Sequence, residues 1–166
     1  MIKHAILVFS VAGLALSPAA LAQVTKYGVT VTAQKGVDFA ALKTYSWTPG
    51  RGAYLKATDA HIKAAIDREL AALGMKKVAG EPGDVLVMYQ SLTRSDIDLK
   101  GDPSADKPYP VGTLVVALLR PSNHRELLRL RTDKPIDVAP GKLEAAIDSA
   151  VTELFERYPT RSKKKN

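Results

Sequence analysis

The sequence predicts an α+β fold, a single domain in which an antiparallel or mixed β-sheet carries two amphipathic helices packed on one face. Two stretches space their apolar residues as a helix does, and several shorter segments are rich in β-branched and aromatic residues. Only one of the two helical stretches falls between strands. A doubly wound α/β fold requires more regular alternation of strands and helices, so we do not expect one.

Two short strands are predicted before the first helix. Residues Val24–Val31 are β-rich and alternate in places with Thr and Tyr, which is typical of a strand. Asp38–Leu42 is typical of a turn or helical half-turn, and Thr44–Trp47 of a second strand. The loop Pro49–Gly52 ends this region. We expect the three aromatic residues of this region to form a cluster in the core: Phe39, Tyr45 and Trp47.

The first helix is predicted from Asp59 to Leu73. Its apolar residues recur along one stripe, at Ile62, Ile66, Leu70 and Leu73. Thr58 or Asp59 is expected to cap its start, and Gly74 is expected to end it in the left-handed conformation. His61 precedes the stripe by one residue and is expected to be exposed.

Strands dominate the middle of the chain. Met75–Val78 and Asp84–Tyr89 are predicted strands, the second extending to about Thr93. Residues 94–110 are polar and predict the longest irregular segment. Gly112–Leu119 and Leu127–Thr132 predict a hairpin whose turn contains His124. We expect Asp84 to be a turn or strand-start residue and Gly112 to serve an unusual backbone angle.

The second helix is predicted to start near Pro140 and to end at Pro159. Its apolar stripe comprises Leu143, Ile147, Val151, Leu154 and Tyr158. Ala146 and Ala150 lie on the same face, where small side chains would allow the helix to lie close to the sheet.

The N-terminus has the layout of a secretory signal peptide. Lys3 precedes an apolar run of about 12 residues, shorter than the roughly 20 that span a membrane. Small residues follow, so residues 1–22 are predicted to be removed between Ala22 and Gln23, with a retained N-terminal anchor as the alternative. Because the chain has no cysteine, we expect neither a disulfide nor a lipid-bearing cysteine, and predict a released periplasmic protein.

The formal net charge of +7 is concentrated near the C-terminus, where Arg161, Lys163, Lys164 and Lys165 lie in the last six residues. The predicted domain, residues 23–159, is therefore nearly neutral and lacks the basic face of a nucleic-acid-binding protein. Residues 160–166 are predicted to form a disordered basic tail. Its lysines could contact anionic envelope surfaces peripherally, each contributing about 1 kcal/mol.

Motifs distributed along the chain resemble those of the domain of unknown function 4136, a family of exported bacterial envelope proteins that includes many lipoproteins. The first is Asp38-Phe39 followed by Lys43-Thr44-Tyr45-Ser46-Trp47. Further likenesses lie in Ile62–Gly74, Gly83–Val87, Gly112–Val116 and Tyr158-Pro159. The resemblance implies an α+β envelope domain without an established activity.

This chain departs from the family pattern at two points. It lacks the lipid-bearing cysteine common among members. It also has Leu127-Leu128-Arg129 where many members carry a Trp-Arg pair.

No residue pattern indicates an enzyme, a cofactor or a metal centre. Outside the signal peptide the histidines are His61 and His124, too few for a typical zinc site, and no phosphate-binding loop or Gly-x-Ser-x-Gly motif occurs. The acidic loop around Asp96, Asp98, Asp102 and Asp106 lacks the spacing of an EF-hand. We therefore predict no catalytic, cofactor-binding or metal-binding residues.

The leading hypothesis is a non-enzymatic domain that binds an envelope protein or a small ligand, at a sheet edge or in a groove between sheet and helices. Two alternatives remain at this point. One is a small hydrolase or ligand-modifying enzyme that uses carboxylates of residues 94–110. The other is envelope-surface adhesion through Lys163, Lys164 and Lys165.

Overall fold

The computed structural model describes residues 27–96, 108–136, 139 and 141–161. Six strands and two helices lie in these ranges. In chain order they are β1 (Gly28–Ala33), β2 (Thr44–Trp47), α1 (Lys56–Ala72), β3 (Lys76–Lys77), β4 (Val85–Asp96), β5 (Tyr109–Leu119), β6 (Glu126–Pro135) and α2 (Lys142–Glu156).

The strands form one mixed sheet in the order β1-β6-β5-β4-β2-β3. Strands β4, β5, β6 and β1 pair antiparallel, whereas β2 pairs parallel with both β3 and β4. Parallel neighbours require a crossover connection, and α1 provides it between β2 and β4. The predicted single α+β domain with a mixed sheet is confirmed.

One face of the sheet packs against both helices. The inward side chains of the central strands include Val87, Val116 and Leu130, all nearly inaccessible. From the helices, Ile66, Leu70 and Leu154 pack into the same cluster. The predicted placement of both helices on one face is therefore confirmed. The opposite face carries a smaller apolar cluster of Leu86, Ala117 and Leu119, joined by Met88.

Asp84 fastens the start of β4 to β2. Its carboxylate accepts hydrogen bonds from the backbone N–H groups of Lys43 and Thr44, each at 2.8 Å. The Asp84 N–H donates in return to the Thr44 hydroxyl at 3.0 Å. These bonds stabilise the anion and lower the pKa of Asp84, with the bond from Lys43 contributing most. The predicted strand-start role is thus confirmed.

Both helices differ from their predicted bounds. Helix α1 begins three residues early, after Leu55, and no side chain caps it, so the predicted cap at Thr58 or Asp59 is wrong. The Asp59 carboxylate instead accepts from the Tyr89 hydroxyl. Helix α2 begins after Gly141 and ends at Glu156, so it is shorter than predicted. Gly74 follows α1 with φ of 81°, as predicted.

Strands β4 and β5 are longer than predicted. Residues Arg94–Asp96 and Tyr109–Pro110, predicted to be irregular, extend β4 and β5, with Asp96 opposite Tyr109. The side chains there are mostly polar, so the sequence lacked the apolar alternation that is typical of a strand. In the structure such side chains bond across the sheet, as Arg94 does with Asp133 at 2.8 Å. Strand β1 begins at Gly28 and ends at Ala33, two residues beyond the predicted end.

Some predictions concern residues outside the described ranges. These include the signal peptide with its cleavage between Ala22 and Gln23, the start of the first predicted strand at residues 24–26, the basic residues Lys163, Lys164 and Lys165, and Pro140. Within the ranges that are described, neither helix has the length and apolar character needed to cross a membrane.

Candidate functional site: a groove between sheet and helices

A groove of about 600 Å³ opens between the helices and one end of the sheet. Its floor is formed by β4, β5 and β6 near Ser91, Leu114 and Thr132. One wall is α2, and the other is the start of α1 with the loop before it. The apolar core fills the opposite end of the same sheet–helix interface, so the groove is where that interface opens.

Small side chains on α2 leave room for the groove. Ala146 and Ala150 line it together with Leu143 and Ile147. The sequence predicts that the two alanines bring the helix close to the sheet. They instead lie where helix and sheet leave space between them, because no larger side chain from either element fills the gap.

Two exposed apolar residues border the groove. Tyr54 and Leu55 precede α1 and have exposed fractions of 99% and 62%, the highest among the large apolar side chains of the described chain. Large apolar groups normally lie inside a protein, and exposed ones that border a concavity are typical of binding sites.

Hydrogen bonds of the backbone hold Arg51 at the rim of the groove. Its carbonyl oxygen accepts a hydrogen bond from the Ser91 N–H at 2.8 Å, and the nearby Ala53 N–H donates to the Tyr89 hydroxyl at 3.0 Å. Gly52 permits this close approach, because a Cβ there would lie 2.3 Å from an Asp59 carboxylate oxygen. The Arg51 side chain is exposed and has no ion-pair partner among the residues described.

Thr132 and Gly112 shape the floor. The Thr132 hydroxyl is buried and neither accepts nor donates a hydrogen bond within the described structure. Gly112 was expected to serve an unusual backbone angle, but its φ is not positive. A Cβ there would lie 2.8 Å from Ile136 Cγ2, so glycine is needed for the close approach of Ile136, another groove residue.

Lys134 in the groove and Asp59 behind its rim both have ion-pair partners. Lys134 lines the groove and forms an ion pair with Glu153 of α2. Behind the rim, Asp59 accepts from Tyr89 and from Lys63, the latter at 2.9 Å. These two bonds lower the pKa of Asp59, that from Tyr89 most, while burial and the bond to Asp59 raise the pKa of Tyr89 to about 12.

A second polar cluster joins β2 to α1. The Asp67 carboxylate accepts from the Tyr45 hydroxyl at 2.7 Å, from the Trp47 ring N–H at 2.9 Å and from Lys77 Nζ at 3.0 Å. Burial and the Asp67 bond raise the pKa of Tyr45. Phe39 and Tyr45 lie in the core cluster and Trp47 packs against it, as predicted, while the ring-to-ring contacts join Trp47 to Tyr89 and Phe39 to Tyr158.

His61 is partly buried, whereas the sequence predicted that it is exposed. Its side chain is 23% accessible, and its Nε2 lies 3.0 Å from an Asp148 carboxylate oxygen of α2. Arg68 reaches the same oxygen at 2.6 Å. No described serine or threonine hydroxyl is bonded to His61, so this contact joins the helices without forming the chain of groups that a hydrolase triad requires. His124 lies in the predicted turn with φ of 54°.

The carboxylates proposed for a hydrolase are only partly described. Asp96 accepts from the Tyr27 hydroxyl at 3.1 Å and from Arg94 at 3.2 Å, while Asp98, Asp102 and Asp106 lie outside the described residues. Across the described part of the chain, no three His, Cys, Asp or Glu residues come together as a group that could hold a metal.

The sequence predicted a groove between sheet and helices as one possible binding site, but not its residues. Arg51 falls in a predicted loop, and Tyr54-Leu55 in no predicted element. The available signal was this apolar pair, which directly precedes a helix and follows a loop rich in proline and glycine.

The fold has relatives among solved structures, although the sequences have diverged widely. A PDZ domain protein from Parabacteroides distasonis has a TM-score of 0.56 and 16% identity, with 82% of this chain and 36% of that chain covered. This chain thus spans about a third of that protein. The PelC dodecamer from Paraburkholderia phytofirmans has a TM-score of 0.55 and 11% identity, covering 82% and 99% of the two chains.

A dodecamer of a PelC variant from the same organism has a TM-score of 0.50 and 13% identity, covering 79% of this chain and 98% of that chain. At these identities the likeness concerns the fold alone. No curated protein sequence matches the chain. The family of domains of unknown function DUF4136 matches residues 29–160, and because this match covers most of the chain, the protein belongs to the DUF4136 family.

Proposed function

We propose that this protein is a non-enzymatic binding domain of the bacterial envelope and that its ligand occupies the groove between the sheet and the helices. The observation that carries the proposal is the coincidence of a concavity of about 600 Å³ with the two most exposed large apolar side chains, Tyr54 and Leu55. Ligand sites in proteins have volumes of about 300–1,000 Å³ and predominantly apolar walls.

The floor of the groove is a rigid platform. Strands β5 and β6 pair with a neighbour on both sides, and β4 pairs with β5 along its whole length and with β2 at Val85–Val87. A binding surface on such strands needs little ordering when a ligand arrives, which preserves affinity. The loop carrying Arg51 is bonded to β4, so the rim is similarly fixed.

The non-enzymatic part of the proposal rests on how the described ionisable groups are used. Asp59 and Glu153 are each engaged by a cation, and Asp59 also by Tyr89. The hydroxyls of Ser91 and Thr132, which line the floor, have no histidine partner in the described structure. This arrangement favours binding over nucleophilic catalysis.

The proposed location in the bacterial envelope is inferred from the sequence. The predicted signal peptide directs export, and the DUF4136 resemblance implies the bacterial envelope. Immunoblotting of periplasmic and cytoplasmic fractions tests this, with the Ala22→Asp variant expected to accumulate in its longer, uncleaved form. Wild-type protein that retains residues 1–22 would contradict the predicted cleavage.

Binding in the groove can be tested with N-phenyl-1-naphthylamine, a neutral probe whose fluorescence rises in apolar sites. We expect saturable binding to the purified domain. Ala146→Phe, which projects a ring into the groove, is expected to weaken binding at least tenfold, since it removes space that the probe needs.

Ala145→Phe is the matched control, because Ala145 is exposed on the same helix and does not line the groove. Thermal unfolding of both variants verifies that they fold. Equal probe affinity in the two variants, or no saturable binding to the wild type, would refute the groove as the binding site.

A further inference from the structure

The geometry points to a ligand class for this groove: an amphiphile with one acyl chain and an anionic head group, its chain against the apolar walls and its head beside Arg51. This inference rests on the proposed function, because it specifies what the same groove binds. Three observations lead to it: the chemistry of the floor, the pairing of the charged groups and the position of Arg51.

The centre of the floor offers a peptide backbone no strand edge to pair with. Strands β5 and β6 use their backbone N–H and C=O groups in pairing with a neighbour on each side. Strand β4 pairs with β5 along its whole length and with β2 at Val85–Val87, and at Ser91 its outer N–H donates to the Arg51 carbonyl. A peptide buried across β5 and β6 would leave its own polar groups without partners, which is unfavourable. An alkyl chain carries no such groups, so it suits these walls better than a protein segment does.

The charges at the rim favour a ligand with a negatively charged head group. Lys134 is neutralised by Glu153, and Asp59 is neutralised by Lys63. Arg51 is the groove-lining cation that has no ion-pair partner in the part of the chain that the structure describes. A carboxylate or phosphate beside it would form a charge-assisted pair, whereas a cationic head would be repelled.

The position of Arg51 is independent support. Its carbonyl is bonded to Ser91 of the floor, and Gly52 beside it is in close contact with Asp59 of α1. The guanidinium is therefore carried on a segment that is tied to the floor and to α1, three residues before the exposed Tyr54. An arrangement with an apolar surface inward and a fixed cation outward matches the two ends of an anionic amphiphile.

The experiment is displacement of N-phenyl-1-naphthylamine by decanoate and dodecanoate, by the alcohols of the same lengths, and by a dodecanoyl lysophosphatidylglycerol, all below their micelle concentrations. Each added methylene buried in the groove should tighten binding about fourfold, which corresponds to about 0.8 kcal/mol. The carboxylate and the lysolipid arms separate a free fatty acid from a lipid as the source of the chain.

Arg51→Gln tests the head-group contact. Because the pair is exposed, we expect the variant to weaken dodecanoate binding about two- to fivefold and to leave dodecanol binding unchanged. Arg125→Gln is the matched control, since Arg125 is an exposed arginine in the β5–β6 turn, at the other end of the sheet. It should leave both ligands unaffected.

The outcomes separate the two proposals. If the neutral probe binds but alkanoates do not displace it, or if Arg51→Gln affects dodecanoate and dodecanol equally, the amphiphile inference is wrong while the groove remains a binding site. Affinity that does not change with chain length also overturns it. If the probe itself does not bind the wild type, the proposed function fails first.

Discussion

Thr113 and Thr132 are buried threonines on neighbouring strands, and their hydroxyls are in opposite situations. Thr113 is 6% exposed, and its hydroxyl donates to the Asp133 carboxylate at 2.6 Å. Thr132 is 2% exposed, and its hydroxyl has no partner in the described structure. A buried polar group without a hydrogen bond costs about 1–3 kcal/mol, so the two residues should respond differently to the same substitution.

Thr132→Val is expected to raise the free energy of unfolding by about 1 kcal/mol, because valine keeps the shape of threonine and removes the unpaired hydroxyl. Thr113→Val is the matched control and should lower it by about 1–2 kcal/mol, since Asp133 loses a donor. Urea denaturation followed by circular dichroism measures both. A loss of stability in Thr132→Val would show that the hydroxyl is bonded in solution.

At the scale of elements, ion pairs stabilise the β5–β6 hairpin at the end remote from its turn. Asp133 lies opposite Thr113 and accepts from Arg131 and Arg94, both at 2.8 Å. Several hydrogen bonds hold the pKa of Asp133 well below its usual value, and the bond from Arg131 contributes most to this lowering. Burial has the opposite effect on the pKa. The polar Arg94 and Asp133 also explain why the sequence predicted strands that ended just before them, at Thr93 and Thr132.

A lowered pKa in the folded state stabilises the fold above the unfolded value of about 3.9, and the contribution is lost as the pH falls toward the folded value. Asp133→Asn should therefore be less stable than the wild type at pH 7, by about 1–2 kcal/mol because both arginines are partly exposed. The difference should shrink below about pH 4. Unfolding of both proteins from pH 7 to about pH 2.5 tests this; a gap that stays constant would contradict it.

At the scale of the whole molecule, one sheet–helix interface has a closed end and an open end. Leu154 of α2 is fully buried in the core cluster, whereas Leu143, near the start of the same helix, lines the groove and is partly exposed. The same helix thus contributes both to the core and to the candidate site.

Leu154→Ala is expected to cost about 2–5 kcal/mol of unfolding free energy, through lost burial and the cavity it leaves. Leu143→Ala should cost about 1 kcal/mol or less, because that side chain already faces the groove. Equilibrium denaturation of the two variants compares them directly. Similar losses would mean that the groove is closed in solution.

The sequence by itself determined the fold class, the two helices and the centres of most strands. Periodicity reports which residues of one element face the core, and that pattern is local: Ile62, Ile66 and Leu70 mark α1 whatever the rest of the chain does. Gly74 was predictable for the same reason, since its left-handed conformation depends on the helix that it ends. Asp84 was predictable from its position before an apolar run, but its bonds to the backbone of Lys43 and Thr44 depend on the tertiary structure.

Only the tertiary structure decided the site. The groove combines Arg51, Thr132 and Ala146 from three distant parts of the chain, and none of them belongs to a motif. His61 meets Asp148 only because α1 and α2 lie side by side. Spacing along one element cannot show where two elements fail to fill the space between them, and that unfilled space is what forms the groove.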